Sequence, residues 1–349
     1  WYILDNSKAE TAPKSHKKII IALILCAALI ICATGIDAVY SSTENSTASL
    51  AMGTVINSKL YGKDSKKIQD EIKKEINVTE SSLLSRNIAK SDISRINNNC
   101  GKSVSVSKDT ANVILDCLNV SADCGGVFDI TVGNITRLWD FGGDNQRLPE
   151  SKEISELLPF VNYKSIIISG NNVTIPNKQS LDLGAVGKGV ACDRIKNLLK
   201  STKIKSAVVS VGGSLLIYGK KEFNIGIAKS ENDTQSLGTL KLKDTFVSTS
   251  GDYEKNFTEN GKTYHHILNA KTGYPAESEL SSVTVICQSG LYSDALSTAC
   301  YILGYEKSLP LLKKYDAEAV FVFHNKTVRY TSGVEKIFEI TDKSYKVSK

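Results

Sequence analysis

Residues 206–228 read SAVVSVGGSLLIYGKKEFNIGIA. Three β-rich runs, 206–211, 215–218 and 223–228, are packed into this stretch and parted by glycine- and lysine-bearing turns. Similar short runs stand at 165–169, 172–175, 282–287 and 318–323, and residues 52–60 read as a strand near the start. Helical spacing appears over 62–83, where Ile68, Ile72 and Ile76 recur between Lys and Glu. It appears again over 108–124, where Val113, Leu115, Leu118 and Val120 follow Ser107, a candidate cap. Helices are also predicted over 188–200, 291–303 and 306–315. Strands and helices mingle without strict βαβ alternation. That pattern predicts an α+β fold of mixed, largely antiparallel sheets with packed helices rather than a doubly wound parallel sheet.

Towards the start, residues 19–36 (IIIALILCAALIICATGI) carry no charge. As a helix this run is about 27 Å long, close to the hydrocarbon thickness of a bilayer. Lys14, Lys17 and Lys18 precede it and Asp37 follows. The basic flank is expected to stay cytoplasmic and the bulk of the chain to be exported. A cleaved signal peptide is the competing reading, although no A-x-A site is evident and no small residue precedes Cys26 or Cys32 as a lipoprotein signal requires. The expected organisation is a cytoplasmic tail (1–18), a transmembrane helix (19–36), a polar linker (37–50) and one domain over 51–342, with the domain on the extracytoplasmic side of the cell membrane.

The 349 residues are 41% hydrophobic and 23% charged, enough for a substantial core. Forty-three basic and 37 acidic residues give a net charge of +6, with the lysines scattered, so no nucleic-acid partner is expected. The eight cysteines form no CxxC pair and no zinc-like spacing with histidine.

Four segments rich in Gly, Asp and hydroxyl residues carry the candidate chemistry. GGVFD at 125–129 ends a helix; its glycines permit a sharp turn or a close approach to a ligand, and a helix cap followed by a strand is the plain structural alternative. DLGAVGKG at 182–189 places glycines and Lys188 at a helix start, suited to a pyrophosphate, yet without P-loop spacing. The run from Ser248 to Pro275 contains His265 and His266; on a strand the two rings point to opposite faces, so one of them can serve a given site as a proton carrier. In SDALSTA at 293–299, Asp294 and Thr298 fall one helical turn apart, a carboxylate and a hydroxyl suited to a magnesium ion. Ser293 as helix cap, with Asp294 at the positive end of the dipole, is the competing reading.

Taken in order, Met52-Gly53-Thr54, GGVFDITVG (125–133), DLGAVGKGVACD (182–193), VGG (211–213), TSGDY (249–253), YHHILNAKTGYP (264–275) and SDALSTA resemble the ApbE-like family, the FAD:protein FMN transferases. The resemblance runs from Met52 to about residue 340. It implies that FAD, as substrate, lies near Met52, Val127, Phe128, Asp129 and Asp182. It implies that Mg2+ is held by the Ala185 carbonyl, the Asp294 carboxylate and the Thr298 hydroxyl, that Lys188 faces the phosphates, and that His266 is the base. The implied reaction moves FMN onto a Ser or Thr of an acceptor flavoprotein and releases AMP. An FAD pyrophosphatase and a non-catalytic FAD-binding surface protein are the alternatives. A serine hydrolase built on Ser248 or Ser250 with His265 lacks a G-x-S-x-G elbow. This chain has Asn269-Ala270 where the family commonly has Asp-Pro, Ser214 where Asp or Asn is frequent, and Asn87 in place of a Tyr that would give the flavin a stacking surface.

Overall fold

A computed structural model describes residues 44–229 and 235–348. In chain order the first elements are β1 (Glu44–Ala51), β2 (Thr54–Gly62), α1 (Ser65–Val78), α2 (Asp92–Asn97), β3 (Val104–Ser105), α3 (Lys108–Asp123), α4 (Gly133–Trp139), α5 (Ser151–Leu157), β4 (Ile167–Ser169), β5 (Asn172–Thr174) and α6 (Gly187–Lys200). Then come β6 (Ile204–Val211), β7 (Ser214–Gly219), β8 (Phe223–Ala228), β9 (Ser236–Leu242), β10 (Thr245–Gly251), β11 (Asn256–Glu259), β12 (Lys262–His265) and β13 (Leu280–Cys287). The last are α7 (Gly290–Leu303), α8 (Tyr305–Lys314), β14 (Glu318–Phe323), β15 (Thr327–Tyr330), β16 (Phe338–Ile340) and β17 (Lys346–Val347).

Nine strands form one sheet in the order β1-β2-β6-β7-β10-β13-β14-β15-β17. Every pair in it is antiparallel except β15 with β17. Three small sheets, β11-β12, β16-β9-β8 and β3-β5-β4, surround it. The predicted α+β class with largely antiparallel sheets is the observed one.

Strand pleating explains the layers. On β6 and β7, Ala207, Val209, Val211 and Leu216 share a cluster with Ile68, Ile72 and Ile76 of α1 and with Ala191, Ile195 and Leu199 of α6. Their neighbours Val208, Leu215 and Ile217 point the other way, into a cluster with Phe223, Ile225, Leu240 and Leu242 of β8 and β9. The central strands are therefore apolar on both faces, and each fully buried Leu or Ile contributes about 1.5–3 kcal/mol. A third cluster joins α7, α3 and the far half of the sheet through Val283, Val285, Leu296, Ile114 and Val120.

Several expectations are corrected. Residues 44–50, read as linker, pair residue for residue with β2 as an edge strand. The helix expected over 62–83 ends at Val78 and continues as a π-helical turn, Thr79–Leu84. Ser107 does cap α3, accepting from the Thr110 N–H at 3.1 Å, but Ile114 and Cys117 are buried where Leu115 is exposed. After GGVFD no strand forms: Gly125 and Gly126 adopt positive φ (67° and 80°) and the chain passes through a single bridge, Val132 with Ser180, into α4. The expected transmembrane helix, residues 19–36, lies outside the described residues. Among the described residues no helix is long and apolar enough to cross a membrane. The six cysteines there are free thiols.

Candidate active site

Two helix N-termini meet behind β7 and β10. Gly189 in the first turn of α6 and Gly290 at the start of α7 lie backbone to backbone: a Cβ on either would collide with the other's carbonyl oxygen. Glycine at both positions is what this crossing requires. Asp193 fixes α7 from beneath, accepting from the Gly290 and Leu291 N–H groups at 2.8 and 2.7 Å. Ser289 is the cap of α7, accepting from the Tyr292 N–H at 3.3 Å, so Ser293 lies within the first turn instead of capping it.

This crossing brings Asp294 to Gly189. The Gly189 N–H donates to Asp294 Oδ2 at 2.9 Å, and Ser214 Oγ, at the head of β7, donates to Oδ1 at 2.9 Å. Gly189 is the third residue of α6, and its N–H, one of those that a helix start leaves without an intrahelical acceptor, is satisfied by Asp294. Burial raises the Asp294 carboxyl above its ordinary range, opposed by the charge of Lys188 and then by these two donors. One turn along α7, Thr298 Oγ1 lies 3.3 Å from Ser250 Oγ, which also bonds Ser297 Oγ at 2.8 Å; Ser248 Oγ bonds Ser293 Oγ at 2.9 Å. A ladder of hydroxyls therefore sets the height of α7 against β10.

Lys188 and His266 complete this group. Lys188 Nζ and Glu254 Oε1 each lie 3.5 Å from where a Cβ on Gly213 would sit. His266 Nδ1 is 3.0 Å from the Glu254 carbonyl. A carbonyl only accepts, so Nδ1 carries the proton and Nε2 keeps its lone pair. Burial, then the charges of Lys255 and Lys188, pull the His266 pKa down to about 3, so the ring is neutral near pH 7. His265, the last residue of β12, turns away: its Nε2 donates to the Ala276 carbonyl at 3.1 Å and its ring meets Tyr301 edge-on at 5.6 Å. The hairpin β11–β12 that carries the pair is packed through Phe257 and Tyr264 against Trp139, 6.3 and 5.6 Å between ring centroids.

The remaining predicted residues occupy other places. Met52, at φ 52°, donates its N–H to Glu80 Oε2 at 3.1 Å, and its methyl group comes within 3.3 Å of a Cβ position on Gly187. It therefore flanks the start of α6. Asp182 is bound by three protein donors: Arg86 Nη1 at 2.8 Å and Thr136 Oγ1 at 2.6 Å on Oδ2, and the Gly184 N–H at 2.8 Å on Oδ1. The side chains of Val127 and Phe128 are buried in the core. Asp129 is buried too: Oδ1 accepts from the N–H and hydroxyl of Thr131, and Oδ2 from the Tyr163 N–H at 2.8 Å. Its carboxylate organises the loop, and the Val127 carbonyl accepts from the Ala270 N–H at 3.1 Å. Arg86 and Glu80, in a polar stretch with no motif, carry no signal in the sequence, and Ser250 enters there only as a nucleophile of the serine-hydrolase alternative. Ser214 shows there only as a departure from the commoner Asp or Asn.

Residues 52–321 match the ApbE family along more than half of the chain. The chain belongs to the ApbE family. Among curated relatives, this ApbE chain is 32% identical to the FAD:protein FMN transferase of Klebsiella pneumoniae, over 86% of its own length and 96% of the relative's. It is 29% identical to the enzyme of the same name from Treponema pallidum, covering 86% and 90%. The crystal structure of the ApbE protein from Thermotoga maritima superposes with a TM-score of 0.78 at 28% identity, covering 84% of this chain and 99% of that one. The apo flavinyl transferase ApbE from Pseudomonas stutzeri gives 0.74 at 26% identity, covering 84% and 96%.

Proposed function

We propose that this chain is an FAD:protein FMN transferase that moves FMN from FAD to a Ser or Thr hydroxyl of an acceptor flavoprotein, depends on magnesium, and releases AMP. The observation that carries the reading is the junction of α6 and α7. The Asp294 carboxylate, the Thr298 hydroxyl and the Ala185 carbonyl, in the turn just before α6, are hard oxygens of the kind that suits Mg2+. When bound there, Mg2+ would supply neutralisation of the diphosphate charge that repels a nucleophile.

The chain's own groups account for the rest. Lys188, whose charge is felt at both Asp294 and His266, holds the diphosphate against α6. The acceptor hydroxyl has a pKa far above neutral and must lose its proton as it attacks. His266 Nε2, the ring nitrogen with a lone pair, takes that proton while Nδ1 stays anchored on the Glu254 carbonyl. The two lysine charges that depress His266 are offset once an anionic diphosphate enters, which raises its proton affinity when substrate is present. The acceptor oxygen bonds to the FMN-side phosphorus, the bridging P–O bond breaks, and its electron pair leaves with AMP.

The apolar run at 19–36 with its basic flank supports a membrane-tethered protein with this domain on the extracytoplasmic side. The test is to incubate the full chain with FAD, Mg2+ and a co-expressed acceptor. AMP release together with an acceptor mass gain of one FMN supports transfer. Free FMN without that gain marks a pyrophosphatase, and bound FAD with no AMP marks a binding protein.

A further inference from the structure

Asp182 opens the turn that leads into α6, yet both its oxygens are engaged by protein donors. A carboxylate so satisfied is a poor direct contact for a ligand. Arg86 directs Nη1 at Asp182 Oδ2, at the Thr136 hydroxyl and at the Gly133 carbonyl. Among the described residues its Nε and Nη2 have no partner. These two N–H groups lie side by side on one edge of the guanidinium and form a complete two-pronged donor fork. The side chain is 20% exposed, held in place yet open on that edge. Leu84, two residues earlier, approaches Gly187 beside Met52, so Arg86 borders the same 182–188 turn that carries Ala185 and Lys188.

We infer that Arg86 is a substrate-binding residue whose Nε/Nη2 fork reads the pyrimidine edge of the flavin ring, with Asp182 as its positioning residue. The inference rests on the transfer reading above. Two parallel donors require two adjacent acceptors. The flavin offers such pairs, N1 with O2 and N5 with O4, as guanine offers N7 with O6 to arginine. Adenine instead sets an acceptor beside its amino donor, so the fork distinguishes the flavin end of FAD from the adenosine end. Asp182 and Lys188 are six positions apart, about 20 Å of chain at full extension and less in a turn, a reach that a ribityl chain and tricyclic ring can bridge.

The test is calorimetric titration of the full chain, without acceptor and without metal, using FAD and ADP as probes on wild type, Arg86→Ala and Arg86→Lys. Both variants are expected to weaken FAD at least about tenfold while leaving ADP unchanged, since a charged hydrogen bond to ligand is lost in each. Lysine keeps a cation for Asp182 but has no fork. Restoration of FAD affinity by lysine would show that Arg86 merely holds Asp182. Equal losses for ADP would place its effect on the phosphates or the turn, and unchanged FAD affinity would exclude contact; each overturns the inference. If Arg86→Ala fails to fold, Arg86→Lys gives the answer alone. Wild type that binds neither probe overturns the transfer reading and this inference with it, whereas failure in the variants alone leaves transfer standing.

Discussion

Replacing Gly189 by alanine tests the geometry on which the site depends. Its backbone is helical without positive φ, so alanine is conformationally admissible, and propensity alone would add up to about 1 kcal/mol of stability. Packing opposes this. The new Cβ would collide with the Gly290 carbonyl oxygen, lie 2.6 Å from its carbon and 2.9 Å from Asp294 Cβ. The first two atoms are backbone, so no rotamer change relieves the contact, and α6 and α7 must part by roughly 1 Å to reach ordinary carbon–carbon separation. Overpacking of this kind costs about 1–3 kcal/mol, so the net destabilisation falls between roughly zero and 2 kcal/mol. The catalytic effect is larger, because a 1 Å displacement within an active constellation costs on the order of 100-fold in rate. The assay pairs thermal unfolding with a magnesium titration of AMP release. A small fall in Tm with a large loss of rate and a rightward shift of the magnesium curve is expected. A folded Gly189→Ala protein with wild-type rate and magnesium dependence would refute the argument that this crossing sets the spacing of Asp294 from the Ala185 carbonyl.

Ser214→Ala removes the donor to Asp294 Oδ1 without touching the carboxylate; Mn2+ affinity measured by paramagnetic resonance should weaken about 10–100-fold while FAD affinity in metal-free buffer stays unchanged. Asp193→Ala leaves the Gly290 and Leu291 N–H groups without their acceptor and should lower unfolding stability by about 1.5–3 kcal/mol in denaturant titration. His266→Gln should retain FAD binding by calorimetry and turn over slowly, and an undiminished rate would remove the residue from the role of base. Its pH effect has a definite sign. The folded pKa lies below the unfolded one, so the stability it permits is complete above about pH 6.5 and is lost as pH falls towards 3, by at most about 1.4 kcal/mol per pH unit. His266→Gln should therefore flatten the acid limb of a stability–pH curve.

Much of the scaffold is legible in the sequence, and the reasons differ by element. The runs at 206–211, 215–218, 223–228 and 282–287 are visible because central strands buried on both faces are apolar throughout. The strand β1 is hidden for the opposite reason: as a sheet edge with mostly exposed residues, its polar Ser and Thr show no apolar alternation, and the hydrogen bonds that define it come from β2. Within the site, Asp294 and Thr298 are readable because their spacing is a local property of a helix. The contact of Asp294 with Gly189 spans 105 positions in sequence and arises from two glycines meeting, which no local pattern encodes. Asp129 shows what a motif alone does not reveal. An acidic residue in a Gly-rich motif suggests a ligand contact, but its carboxylate folds back on Thr131 and Tyr163 as a loop brace.

The proposed base also rides on a unit of its own. His266 follows directly on β12, in a two-stranded hairpin that lies outside the nine-stranded ladder and leans by aromatic rings on Trp139. Such a graft can open thermally while the large sheet stays closed, so amide exchange at Phe257 and Tyr264 should outpace that at Val208 and Leu216. Swapping Trp139 for leucine would then loosen the imidazole through the hairpin, giving the fold a dial for turnover that needs no change in His266 itself.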